Sequence, residues 1–235
     1  GTKYGLVDLE RIISALTFSP DGGIAIKPKG VIAIEHFLIL RNIMYRTIYN
    51  HRINEICTWI LENIFKKIRS EFNNKIWIDK CLKGWIFNPQ SLDVKNFLSN
   101  DDIRLYYHLY KWKDEAPKPI STLCEIFIHR KLLKAANINF LSNIDKLELL
   151  AFARQKAAKF NFDPTLFCGI KERKFNGFES NNSLKVWNGN ILKELDTESD
   201  LIKILIQSKE NSFLIYPSCI KEDILRKIAN LKEKI

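Results

Sequence analysis

Glycine and proline, the residues that most often interrupt regular structure, number only nine and seven among 235 residues, so the chain is neither collagenous nor low in complexity. No apolar run approaches the roughly 18 residues that span a bilayer; the best candidate, residues 31–40, carries Glu35 and His36 within it. An integral membrane protein is not expected. The five cysteines, Cys57, Cys81, Cys124, Cys168 and Cys219, are odd in number, far apart and free of any C-x-x-C pair. That pattern argues against a zinc site or a redox motif and leaves reduced thiols in a cytoplasmic protein. The four histidines form no H-x-H, H-E-x-x-H or His-Asp pair, so no metal ligands are expected within this chain. The glycines supply no G-x-x-x-x-G-K, G-x-G-x-x-G or G-x-S-x-G, which removes the sequence support for phosphate-loop, dinucleotide and serine-hydrolase readings. The opening Gly1-Thr2-Lys3-Tyr4-Gly5 lacks both a starting Met and a signal-peptide pattern, and suggests the interior of a longer polypeptide.

What is present is a basic, core-forming sequence. Hydrophobic residues make up 46%, enough for a packed interior, and 37 Lys and Arg against 27 Asp and Glu leave a net charge of +10. The excess favours an anionic partner: a nucleotide, a nucleic acid or a phosphorylated protein. Apolar spacing predicts a short helix over residues 6–18 and a brief extended stretch over 23–30. Residues 31–70 contain neither Pro nor Gly, and predict one long helix or a closely broken pair. Shorter helical pieces follow, broken or capped at Asn88-Pro89 and at Ser99-Asn100-Asp101-Asp102.

Glu115-Ala116-Pro117-Lys118-Pro119 has linker composition, dividing the chain into a helical region, 1–118, and a C-terminal α+β subdomain, 119–235. In the latter, helices are expected over 122–133, 146–160, 199–208 and 218–233. Strands are expected over 165–170, 183–187, 191–195 and 212–216, with Asn188-Gly189 as a hairpin turn. The expected fold class is mostly α with a small α+β unit.

One stretch stands out. Arg41, Tyr45 and Tyr49 recur every four residues, with Arg52 close to the same line, so a guanidinium and two phenol rings share a helical stripe. Arg offers planar charge-assisted bonds to phosphate, a Tyr ring stacks on a base or sugar, and Asn50 can bond a ribose hydroxyl. Tyr at helical spacing is also common in ordinary cores, and spacing alone does not choose. Lys27 and Lys29 have the default reading of a solvated loop, and Lys221, Arg226, Lys227, Lys232 and Lys234 that of an exposed helix face.

The order Gly1-Thr2-Lys3-Tyr4-Gly5, Asp8-Leu9-Glu10-Arg11-Ile12, Lys29-Gly30, then Glu35-x-Phe37-Leu38-x-x-Arg41-x-x-Met44-Tyr45-x-x-x-Tyr49-x-His51 resembles the HD-superfamily phosphohydrolases. The similarity is to the branch containing deoxynucleoside triphosphate triphosphohydrolases. Leu98-x-x-Asp101-Asp102 with Trp112, Arg130-Lys131-Leu132-Leu133-Lys134, Trp187-Asn188-Gly189 and residues 213–217 continue the likeness more weakly. The resemblance implies the helical second half of an HD-type domain followed by a C-terminal α+β subdomain. Its His and Asp metal ligands would lie upstream of residue 1, so the parent enzyme needs a divalent metal while this chain holds none and is inactive alone. It further implies substrate contacts at Arg41, Tyr45, Tyr49 and Asn50, with Tyr45 at a position that is often histidine. Arg11, Lys27, Lys29, His51 and Arg52 match an allosteric nucleotide site between subunits of a dimer or tetramer. The implied reaction releases nucleoside and triphosphate from a deoxynucleoside triphosphate. The alternative is a nucleic-acid-binding or structural oligomerisation module without catalysis.

Overall fold

A computed structural model describes residues 6–71, 76–175, 184–206 and 209–233. Gly1–Gly5, Ser183, Ser208 and Lys234, which enter the readings above, lie outside the described residues.

In chain order the elements are α1 (Leu9–Ala15), β1 (Leu16–Phe18), β2 (Ile24–Ile26), α2 (Val31–Met44), a π-helical turn (Tyr45–Tyr49), α3 (Arg52–Glu71), α4 (Lys80–Phe87), α5 (Val94–Leu98), α6 (Asp102–Glu115) and α7 (Ile120–Ile128). There follow β3 (Lys134–Asn137), α8 (Asn143–Ala158), α9 (Pro164–Phe167), β4 (Gly169–Phe175), β5 (Lys185–Trp187), β6 (Leu192–Glu194), α10 (Leu195–Glu198), α11 (Asp200–Ile206), β7 (Lys209–Tyr216) and α12 (Lys221–Lys232). The chain is mostly α with small sheets, as its periodicity predicts. No described helix is long and apolar enough to cross a membrane.

Two compact units divide it: residues 1–51 with 172–211, and 52–171 with 212–235. The cuts fall at His51/Arg52, Lys171/Glu172 and Asn211/Ser212, and the Pro117–Pro119 segment lies inside the second unit as the link from α6 to α7.

In the first unit Asp8 caps α1, its carboxylate accepting from the Arg11 N–H at 2.9 Å. The helix ends at Ala15, short of residue 18, because Leu16, Thr17 and Phe18 pair antiparallel with Ile26, Ala25 and Ile24. β2 then pairs in parallel with β5, and β5 turns through Gly189 at φ +100° into antiparallel β6. Glycine suits that turn because φ is positive there. The sheet order is β1-β2-β5-β6, so half of it comes from the first 30 residues rather than from the C-terminal part. Ala15, Ile26, Ile34, Leu38, Val186, Leu195 and Ile202 form its core.

In the second unit Ile56, Ile60, Ile64 and Ile68 repeat every four residues along α3 and pack with Leu109, Trp112, Leu123 and Phe167. Trp59 donates its indole N–H to the Leu166 carbonyl at 2.9 Å, and its ring lies so close to Gly169 that a Cβ there would overlap it. Asp163 caps α9, which takes up residues 165–167 of the expected strand and delays β4 to Gly169. A three-stranded sheet, β3-β7-β4, pairs Lys134 with Tyr216 and Asn137 with Phe213. A second core, built on Leu149, Ala153, Leu214, Ile224 and Ile228, joins α8, β7 and α12.

Candidate functional site

The expected long helix is a broken pair. After Met44 the backbone widens into a π-helical turn that ends at Asn50, whose N–H bonds the Tyr45 carbonyl at 2.8 Å. Single π turns are uncommon and recur at functional sites. The stripe survives within the first unit: the Arg41 guanidinium lies 4.6 Å from the Tyr45 ring centroid, and the Tyr45 and Tyr49 rings are 4.9 Å apart with a 50° tilt. Arg52 begins α3 in the other unit.

Asn50 is buried, and neither its amide nitrogen nor its carbonyl oxygen has a hydrogen-bond partner among the described residues. An unpaired buried carboxamide costs on the order of 1–3 kcal/mol. Such a group is well suited to a ligand that completes it.

The other first-unit residues matched by resemblance are spread along its polypeptide. Arg11 is exposed in α1; Lys27 donates to the Ser14 carbonyl at 3.3 Å; Lys29 is exposed in the 3-10 turn before α2; and His51 is exposed, its N–H reaching the Ile48 carbonyl at 3.3 Å.

Arg52 instead enters a cavity of about 920 Å³ wholly within the second unit. The start of α3 contributes Arg52, Ile53 and Ile56, and the approach to β3 contributes Arg130, Lys131 and Lys134. Tyr216 ends β7 and Ser218 follows it, while Lys221, Leu225, Ile228 and Lys232 come from the last helix. Six lining residues are Lys or Arg and none is Asp or Glu. Glu222 lies 3.8 Å from Lys221, and the remaining excess of cations attracts a multivalent anion. Burial pushes the Tyr216 phenol up and the Arg52 charge pulls it down. Lys232 lies over the Phe140 ring at 4.6 Å, at the edge where an apolar surface meets the charges. Arg130, at φ +53°, holds a left-handed conformation unusual for a residue with a side chain, just past the end of α7.

Sequence reasoning missed the roles of Arg130, Lys131, Lys134, Lys221 and Lys232 in this cavity. The cluster Arg130-Lys131-x-x-Lys134 was the available signal. Lys221 and Lys232 belong to an exposed helix face by periodicity alone, and only the pairing of β3 with β7 brings that helix near Arg130.

The remaining nucleophile and metal chemistry is thin. Burial pushes the Cys124 and Cys168 thiols up to about 12, which disfavours thiolate at neutral pH. Among the described residues no three His, Cys, Asp or Glu side chains gather as a metal would need.

The family described as HD associated region matches residues 7–218. YwfO of Bacillus subtilis (strain 168) is 26% identical over 140 residues, 59% of this chain and 32% of that protein. MJ1154 of Methanocaldococcus jannaschii is 32% identical over 109 residues, 45% of this chain and 20% of that protein. The chain therefore spans a third or less of these curated relatives. Among solved structures, a phosphohydrolase from Bacteroides thetaiotaomicron VPI-5482 aligns with a TM-score of 0.72 at 22% identity, over 91% of this chain and 57% of that one. A hypothetical protein from Aquifex aeolicus aligns at 0.68 and 22%, over 97% and 53%. The likeness to these two establishes a shared fold.

Proposed function

Because this chain belongs to the HD associated region family, we propose that it is the carboxyl-terminal part of an HD phosphohydrolase acting on deoxynucleoside triphosphates, and that it contributes nucleotide recognition rather than the hydrolytic centre. The observation that carries the proposal is the run from Arg41 over Tyr45 to Tyr49, ending at the unpaired, buried carboxamide of Asn50. Each group suits one part of the substrate. Arg41 neutralises phosphate, the Tyr rings present a face to sugar and base, and Asn50 offers both a donor and an acceptor to the sugar hydroxyl. The parent releases nucleoside and triphosphate, and this chain alone binds without turnover.

The test is Arg41→Ala in the intact enzyme. Loss of a charge-assisted bond is worth roughly 1.5–3 kcal/mol, so kcat/KM is expected to fall at least tenfold. Unchanged kinetics would remove Arg41 from the site.

A second reading concerns the basic cavity around Arg52, which favours a multivalent anionic effector because six of its lining residues are Lys or Arg. A nucleotide polyphosphate there would relieve the repulsion among Arg52, Arg130, Lys131, Lys134, Lys221 and Lys232. Its aromatic edge at Phe140 would accept the nucleoside.

A further inference from the structure

The outward face of α6 carries an apolar stripe that runs as far as Tyr110 and ends at exposed Asp114. His108, Leu109 and Trp112 are buried. Ile103, Tyr106, Tyr107 and Tyr110 are 79%, 48%, 57% and 50% exposed. At 3.6 residues per turn these four fall within an arc of about 100°, directly opposite the buried three. A helix at a surface ordinarily turns polar residues outward, and one that is apolar all round is covered. Two of the rings are braced from below: Tyr107 meets Trp77 edge-on at 5.6 Å, and Tyr106 lies 6.3 Å from Phe127. Little side-chain freedom is then lost when the face is covered.

We propose that this stripe pairs with the same stripe of a second copy, helix antiparallel to helix, about a two-fold axis passing between Tyr106 and Tyr107. The spacing is self-complementary in that register. Ile103 of each copy lies opposite Tyr110 of the other, while Tyr106 and Tyr107 each meet their own counterpart. Along one flank the acidic first turn, at Asp102, comes within side-chain reach of Lys113 in the partner's last turn. Lys113 is half-buried, contacts exposed Asp114 at 3.0 Å and lies 5.8 Å from the Tyr110 ring centroid, on the flank of the stripe itself. The antiparallel helix dipoles add to the attraction. Such a contact is isologous and closes at two copies. Nucleic acid fits less well, since Asp101 with Asp102 at one end and Asp114 at the other would repel phosphate.

The exposed area of the four residues is on the order of 400 Å² per copy, about half of what a standard interface buries from each partner, so the pair is reversible. This inference is independent of the hydrolase reading.

Sedimentation velocity of the 235-residue chain over about 1–200 µM is expected to show a mass rising from monomer toward dimer. Tyr106→Glu with Tyr110→Glu is expected to hold the chain monomeric with its circular dichroism unchanged. Asp102→Lys alone and Lys113→Asp alone should each weaken association several-fold, and the two together should restore it, because each exchanged charge again meets its opposite. A chain that stays monomeric at every concentration overturns the proposal. So does a dimer indifferent to the Tyr changes, or a double exchange that fails to restore pairing. Capture of single-stranded DNA by this face, lost in the Tyr variant while the mass remains monomeric, would assign it to nucleic acid instead.

Discussion

Gly30 shows how much can depend on one missing methyl group. It closes the turn before α2, and a Cβ built there would overlap the methyl of Ala15 at the end of α1 and press on Ile26. Both neighbours are buried in the core of the first unit. Gly30→Ala is therefore expected to destabilise by about 1–3 kcal/mol, as overpacking does, and a urea midpoint unchanged from the parent would contradict this packing. The residue was visible in the sequence as Lys29-Gly30, but its close neighbour was not, because Ala15 sits across a strand turn. Asn50 poses the same difficulty. Its type was legible as a sugar-binding candidate, whereas its burial and its unpaired amide come from the π turn, which apolar spacing does not register.

At the scale of elements, periodicity and capping chemistry carried most of the reading. Asp101 caps α6 and Ser142 caps α8, each accepting from the backbone N–H three residues on, so those boundaries follow from local hydrogen bonding. Cross-element bonds were not legible. Asp79 caps α4 through the Leu82 N–H and also bonds Arg104 of α6, while the Asp79 N–H donates to Nε2 of buried His108. Burial pushes the Asp79 carboxyl up, but the Leu82 N–H and the neighbouring Arg104 and His108 outweigh it and hold it below the usual carboxylate range. A depressed carboxyl stabilises the fold above its unfolded value, about 3.9, and loses that contribution as pH falls through the lower folded value. Asp79→Asn keeps a capping side chain and removes the charge. It is expected to be less stable than the parent at pH 7 and to converge with it in acid below about pH 4. Equal stability at neutral pH, or a gap that widens in acid, would refute this linkage.

At the scale of the whole molecule, the units are defined by pairings between remote parts of the chain. β2 pairs with β5 and β3 with β7, and no local pattern announces either partner. Linker composition marked Pro117–Pro119, yet those prolines only turn α6 into α7, since α6, α7 and α3 share one core. The basic cavity is a product of the same long-range assembly. Arg52, Arg130 and Lys221 are 78 and 91 residues apart in succession, and strand pairing rather than sequence proximity gathers them.

The claim that this chain recognises nucleotide polyphosphates is tested most directly by calorimetric titration of the isolated chain with a deoxynucleoside triphosphate and with inorganic triphosphate. Both should bind, more weakly as salt is raised; Arg41→Ala should remove the deoxynucleoside triphosphate heat assigned to the first-unit run, and an Arg130→Ala, Lys134→Ala variant that remains folded should remove the triphosphate heat assigned to the basic cavity. Absence of binding by either ligand at low salt, or binding unaffected by either set of changes, would contradict the account.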